Sequence, residues 1–285
     1  MFQKYGADDL DKMSRRRNKN QKYVEIAVIV LLACIALLLQ NGKGLLPQSV
    51  EQSAAATANT SGDVNYANTA ITFTDTLGNT ISVAAYDPNG DGSTIVNNNE
   101  PYFTADNLKT TDTWYIFSDL DDYGRAGVAE AVVGQETMQT EERGSLSGIT
   151  PSGWYACKAN LASDTGVKDG CQRSHLIANK LLGSVSDDPK NLITGSSTFN
   201  QVYMLAWEKK VMQACDDGLH VRYRVTPVFD TSDGIKGSET AHGVLMEAES
   251  IEDQGQTVKF CVYVYNVEPG WTCDYLTGEW EQIQS

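Results

Sequence analysis

The chain has 285 residues, 41% of them hydrophobic, which is enough for one or two domains with true cores. Its formal net charge of −15 speaks against an overall basic footprint of the kind nucleic-acid binders usually carry. The charge is uneven, however: residues 168–224 hold eight Lys or Arg against six Asp or Glu, and the remainder holds 14 against 31. Any phosphate-facing surface therefore belongs in that segment, and the acidic remainder reads as a solubilising surface.

Residues 1–23 form a basic tail containing Arg15, Arg16, Arg17, Lys19 and Lys22, followed by the uncharged apolar run Ile26–Leu39. A basic flank before an apolar segment predicts export with the tail inside. Fourteen strictly apolar residues suit a signal-peptide core, whereas the longer stretch 24–46 suits an uncleaved signal anchor, that is, an N-terminal transmembrane helix. The only natural cleavage point, Ser53-Ala-Ala-Ala56, lies far beyond the apolar core, which favours the anchor. Residues 47–69, rich in Ala, Ser, Thr, Gln and Asn, read as a flexible linker, and a single domain is expected over 70–285. The protein is thus expected at the cell membrane with its domain outside, or secreted if the leader is cut.

Within the domain, 70–74 and 80–84 flank Leu77-Gly78-Asn79 as a β-hairpin should. Asp87, Asn89, Asp91 and Gly92 mimic a calcium loop, but its twelfth position is Asn98 and not a bidentate Glu, so the segment reads as a turn. Trp114–Ser118 is strand-like, and 119–124 is a turn. A helix is expected over 209–214, continuing backward through Phe199. The alternating run 220–229 predicts a strand with Arg222 and Arg224 on one face, and two more strands are expected at 243–249 and 258–267. Together these predict an α+β domain around an antiparallel sheet.

Cys157, Cys171, Cys215, Cys261 and Cys273 would lie outside the cell, where disulfides are allowed. Five cysteines permit at most two intramolecular bridges, and the short-range pairs Cys157–Cys171 and Cys261–Cys273 are the expected ones. None has the close double spacing of a zinc ribbon.

The chain holds only three histidines, and His175 stands in Arg173-Ser-His-Leu-Ile177 ahead of a short apolar run. Downstream, Asn200 and Glu208 fall on the expected helix about 12 Å apart along its axis and about 80° apart around it, so both can address one groove. An amide oxygen and a carboxylate, with water completing the shell, suit Mg²⁺. A histidine near neutral pKa can take a proton from water, a divalent ion can stabilise charge on phosphate, and Arg173 or Arg222 can steady that phosphate. These parts make a workable phosphodiesterase. His220 and His242 lack such company and read as structural.

At this point the sequence resembles a known family, the DNA/RNA non-specific endonucleases of the ββα-metal (His-Me finger) superfamily, and within it the exported bacterial branch that includes membrane DNA-entry nucleases. The likeness runs from about Asn97 to Gly278, through 97–103, 124–129, Arg173–Ile177, Lys190–Gly195, Phe199-Asn200, Met204, Glu208, 221–229 and 265–270. It implies a ββα-metal core with His175 as general base, Asn200 as metal ligand and Glu208 acting on the metal through water. It further implies that Asn191 orients the histidine or its loop and that Arg173 contacts phosphate, with Arg125, Arg222 and Arg224 as further substrate contacts. Ser174 stands where the family often has Gly or Cys, and its side chain is expected to point away. The implied cofactor is Mg²⁺, with Mn²⁺ or another divalent cation as a substitute, and no small-molecule cofactor is expected. The implied substrate is DNA, with RNA as a second one. Two other readings remain at this stage: a catalytically silent surface module that binds nucleic acid, and an exported toxin, which would need a secretion module the leader does not resemble.

Overall fold

Runs of β-branched and aromatic residues broken by Gly, Asp and Asn turns give a strand-rich chain, seen here in a computed structural model that describes residues 70–75, 77–142, 144–164, 170–229 and 237–284. The expected tail, anchor and linker lie outside the described residues. Among those described, no helix is long and apolar enough to cross a membrane.

In chain order the strands are β1 (Ile71–Thr74), β2 (Thr80–Val83), β3 (Ser93–Ile95), β4 (Trp114–Phe117) and β5 (Ala129–Val133). Helix α1 (Trp154–Asp164) precedes β6 (Cys171–His175), the short α2 (Asn179–Leu182) and β7 (Leu192–Ser196). A π-helical turn (Phe199–Met204) runs into α3 (Leu205–Asp216), and β8 (Val221–Val228), β9 (Gly243–Ser250), β10 (Lys259–Tyr265), β11 (Trp271–Asp274) and β12 (Glu279–Gln282) follow. Six of these strands form one sheet, in the order β3-β10-β9-β8-β5-β4, with every neighbour antiparallel. β1–β2, β6–β7 and β11–β12 are separate two-stranded antiparallel units. The α+β architecture, the first hairpin and the long strands after residue 220 are as expected. Helix α1 and the β11–β12 hairpin are not anticipated by the pattern, because neither stretch shows a clean period.

Alternation of side chains sorts the large sheet into two faces. Tyr223, Val225, Met246 and Phe260 share one face by register, and α3 lies on it, with the Trp207 and Phe260 rings 5.0 Å apart. Arg222, Arg224, Glu247, Cys261 and Tyr263 share the other, where β1 contributes Phe73, its ring 6.1 Å from that of Tyr263. A second, smaller cluster gathers Trp154, Cys157, Leu161, Cys171, Cys273, Tyr275 and Trp280, uniting α1, β6 and the last hairpin.

Cys157 and Cys171 form a disulfide across a Cα separation of 5.9 Å, as expected. The second expected bridge, Cys261–Cys273, is absent: both thiols are free and buried. Cys261 belongs to the sheet's own core and Cys273 to the smaller cluster, so closeness in sequence does not become closeness in space. Burial pushes the Cys215 thiol up to about 12, with the nearby Asp216, Glu136 and Glu252 charges adding to the shift, which leaves it unreactive.

Candidate active site

The candidate site grows from β6, β7 and the helix that follows them. β6 and β7 pair antiparallel from Cys171↔Ser196 to His175↔Leu192, and the chain turns directly from Ser196 into the helix. Gly195 permits this sharp junction, since a Cβ there would meet Ser174 Oγ at 2.4 Å and the Phe199 ring at 2.5 Å. The same contact puts the Ser174 side chain on the inner face of the hairpin, opposite His175, as expected. The unit is fastened to the rest of the domain from outside. Ser196 N donates to Asn266 Oδ1 at 3.1 Å, Ser196 Oγ donates to Val267 O at 2.7 Å, and the Glu268 carboxylate accepts from Thr198 N at 2.9 Å. An anionic group there also suits the positive end of the helix dipole.

His175 ends β6 almost fully buried, and its Nε2 lies 2.9 Å from Asp187 Oδ1. Asn179 Nδ2 approaches the same carboxylate oxygen at 3.3 Å while donating to Gly183 O at 2.8 Å and Ser186 Oγ at 3.0 Å. Asn191 is fully buried and links the two ends of this loop. Its Oδ1 accepts from Ile177 N at 2.9 Å, and its Nδ2 donates to Ile177 O at 2.9 Å and Ser186 O at 3.0 Å. Asn191 therefore ties the backbone two residues after His175 to the backbone one residue before Asp187.

Arg173 lies two residues before His175 and so on the same face of β6. Its guanidinium stacks on Trp154 at 3.9 Å from the ring centroid, and its Nε donates to Ile149 O. No carboxylate pairs with it among the described residues. Neither restraint neutralises its charge. Trp154 is carried by α1, which the Cys157–Cys171 disulfide ties to β6.

Asn200 sits in the π-helical turn, half-buried, and its carboxamide has no hydrogen-bond partner among the described residues. Glu208 is buried on α3. Burial, and then the charge of Glu208, raise the Tyr223 hydroxyl well above its ordinary pKa, which sets Glu208 against the sheet face that Tyr223 occupies. The helix departs from expectation in its winding. An i→i+5 turn advances through a smaller angle per residue than an α-turn, so the offset of about 80° between Asn200 and Glu208 in a regular α-helix shrinks, and the two draw toward one face.

Arg222 and Arg224, expected as substrate contacts, are each already paired with a carboxylate. Both project from the sheet face opposite α3. Arg222 Nη2 lies 2.7 Å from Glu130 Oε1, Arg224 Nε lies 2.7 Å from Glu247 Oε2, and both guanidiniums are covered by the Phe103 ring. Burial opposes the Arg224 charge, but Glu247 and Glu130 more than compensate and raise its pKa. Arg125 is buried too, its Nε 2.7 Å from Asp121 Oδ2 and its Nη1 donating to Ser238 O at 3.1 Å, so it braces the loop before β5. Lys190 reaches Asp119 at 2.6 Å. Two of the eight basic residues of 168–224, Arg222 and Arg224, are thus spent inside the protein, and Arg173 is the basic residue beside His175 on β6. The other two histidines are structural, as expected: His220 bridges Glu136 and Glu252, and His242 stacks on Tyr275 with ring centroids 4.1 Å apart.

Among the described residues no three His, Cys, Asp or Glu side chains gather as a metal cage. The donors that do occur, an uncommitted amide and a buried carboxylate on one helix, are hard oxygens, which fit a largely hydrated divalent cation better than a dedicated zinc cage. Sequence reasoning missed Asp187, which is one of two adjacent aspartates in a turn-forming stretch and looks like ordinary turn chemistry. It also missed Trp154, whose partner Arg173 lies across a disulfide-closed loop.

The sequence profile of the DNA/RNA non-specific endonucleases matches residues 106–250. Two solved structures of NucA from Streptococcus agalactiae, one with no metal and one with magnesium bound, are each 24% identical to this chain. They cover 67% of this chain and 87% of their own, with TM-scores of 0.56 and 0.57. The structure of Sda1 nuclease with bound zinc is 26% identical over 60% of this chain and 82% of its own, with a TM-score of 0.46.

Proposed function

The chain belongs to the DNA/RNA non-specific endonuclease family, and from that premise we propose that this nuclease hydrolyses phosphodiester bonds of DNA, and of RNA as a second substrate, without sequence preference. The observation that carries the reading is the convergence of His175, braced by Asp187, with Arg173 beside it on β6, in the same strand–strand–helix unit as Asn200 and Glu208.

His175 accepts the proton of the attacking water, so that a hydroxide-like oxygen reaches phosphorus as the bond to the leaving oxygen breaks. The leaving oxygen regains a proton from solvent. Arg173, pre-set by Trp154, binds the phosphate through charge-assisted hydrogen bonds. Asn191 keeps the histidine's loop from relaxing out of line. A divalent cation, Mg²⁺ in the first place, would be held by Asn200, with Glu208 steadying its hydration shell. When bound it supplies Lewis-acid stabilisation of charge on the phosphate and leaving oxygens. The magnesium-bound NucA structure supports that choice of ion. Contacts mainly to phosphate account for weak sequence preference. The basic–apolar leader supports a membrane-tethered protein with the nuclease domain outside the cell.

The test incubates the full chain with plasmid DNA and with RNA in Mg²⁺ or EDTA, beside His175→Ala. Metal-dependent cleavage that falls by a factor of about 10²–10⁴ in the variant is the expected result. Binding without cleavage by the unmodified protein, in Mg²⁺ and Mn²⁺ alike, would replace this reading with a silent surface-binding module.

A further inference from the structure

We propose that Asp187 is the positioning residue of the general base: it holds the proton of His175 on Nε2, so that Nδ1 is the nitrogen that accepts the proton from water. The proposal rests on the reading of His175 as the base and goes beyond it by assigning the tautomer and the group that enforces it.

The geometry comes first. His175 Nε2 and Asp187 Oδ1 are 2.9 Å apart, an ordinary charge-assisted hydrogen-bond distance, and the pair is sheltered, with side-chain exposures of 7% and 17%. A carboxylate only accepts, so the proton between them sits on Nε2, and the neutral ring then carries its lone pair on Nδ1. When Nδ1 takes up a proton, the ring becomes a cation beside an anion, which stabilises the product of the transfer. The Nε2 proton never leaves the ring.

The carboxylate is itself held in place. Asn179 Nδ2 approaches Asp187 Oδ1 at 3.3 Å, and the Asn179 carboxamide is oriented with its NH₂ inward by Gly183 O, which can only accept. Asp187 N donates to Ser184 O at 3.2 Å, and Asn191 locks Ser186 to Ile177 on the histidine side. Asp187 is therefore fixed on several sides, which an incidental surface ion pair does not require. Asp188, the next residue, does not share the role: its Oδ1 accepts from Lys190 N at 2.8 Å and caps the following turn.

The test uses the full chain labelled with ¹⁵N-histidine, compared with Asp187→Asn and Asp187→Ala. Three histidines give three imidazole spin systems, and His220→Gln and His242→Gln identify the others. The expected result is an Nε2–H tautomer for His175 in the unmodified protein, kept in Asp187→Asn because the amide oxygen can still accept, and lost in Asp187→Ala. The His175 titration midpoint should fall in both variants. In parallel, kcat for plasmid cleavage should drop by about 10²-fold in Asp187→Ala, with KM for DNA and the Mg²⁺ midpoint within about twofold of the parent. An Nδ1–H tautomer in the unmodified protein, or an unmoved tautomer and midpoint in Asp187→Ala, would overturn the proposal. If the unmodified protein cleaves nothing, the nuclease reading fails separately, and the spectra still decide whether Asp187 sets the tautomer.

Discussion

β6 and β8 each present two basic or titratable side chains at alternate positions, Arg173 and His175 on one and Arg222 and Arg224 on the other, and they put them to opposite uses. On β8 the partners are carboxylates of neighbouring strands, Glu130 and Glu247, under an aromatic cover from Phe103. The charges there are neutralised and out of reach. On β6, Arg173 is held by a ring and a backbone carbonyl, neither of which neutralises it, and His175 has a carboxylate that keeps its ring in register. The same strand periodicity yields a structural ion lattice in one place and an un-neutralised basic edge in the other. What differs is the set of groups that tertiary structure brings opposite.

Breaking the lattice should give the largest change in stability. Arg224→Met strands the buried Glu247 carboxylate and should destabilise the fold by about 3–5 kcal/mol in denaturant titration, while the folded fraction keeps its kcat/KM. A selective loss of substrate affinity without loss of stability would return Arg224 to the substrate side of the comparison.

The next effect links the β6 edge to redox state. Replacing Cys157 and Cys171 together by Ser opens a loop of 14-residue separation and should cost about 3 kcal/mol. It should also raise KM, because α1 carries the ring on which Arg173 rests. Reduction of the unmodified protein should reproduce both changes.

Arg173→Ala removes the proposed phosphate contact itself. Loss of a hydrogen bond to a charged group, about 1.5–3 kcal/mol, predicts a KM for DNA raised roughly 10–100-fold with little change in melting temperature. An unchanged KM would move the phosphate contact elsewhere.

The smallest effect compares two histidines that both have carboxylate partners. Burial alone would lower the pKa of His220, but hydrogen bonds and charge from Glu252 and Glu136 outweigh it and raise the value. Because the folded value lies above the unfolded one of about 6.5, the contribution of His220 is complete below that pH. It is lost as pH rises through the folded value. Glu136 is drawn down by its own backbone N–H and then by His220; at Glu252 the His220 bonds outweigh burial; both therefore stay ionised at mildly acidic pH. His220→Gln should cost up to about 1 kcal/mol at about pH 5.5 and nearly nothing at about pH 8.5 in thermal melts. Activity should not follow this profile, since His220 lies outside the site.

Part of this was legible in the residues. The long strands after 220 follow from alternation and the first hairpin from its turn residues, and His175, Asn200 and Glu208 stand out as candidates by the chemistry that one histidine, one amide and one carboxylate can perform. The helix through Phe199 was legible as a helix but not as a π-turn, because a local widening depends on packing that single-residue propensities do not encode. Asp187 was hidden because a turn aspartate and a histidine's partner look alike until the chain folds back. The Cys261–Cys273 expectation failed for a related reason: short separation in sequence says nothing when one residue lies in the large sheet and the other in a different cluster.

Sequence by itself determined the architecture class, because periodicity is a local property of the chain, and its motifs carried the resemblance to the family. Tertiary structure alone decided which charges face one another and which are left un-neutralised. Arg173 and Arg224 are chemically identical, and only the long-range pairings that put Trp154 beside one and Glu247 beside the other separate a charge left un-neutralised from one that is paired.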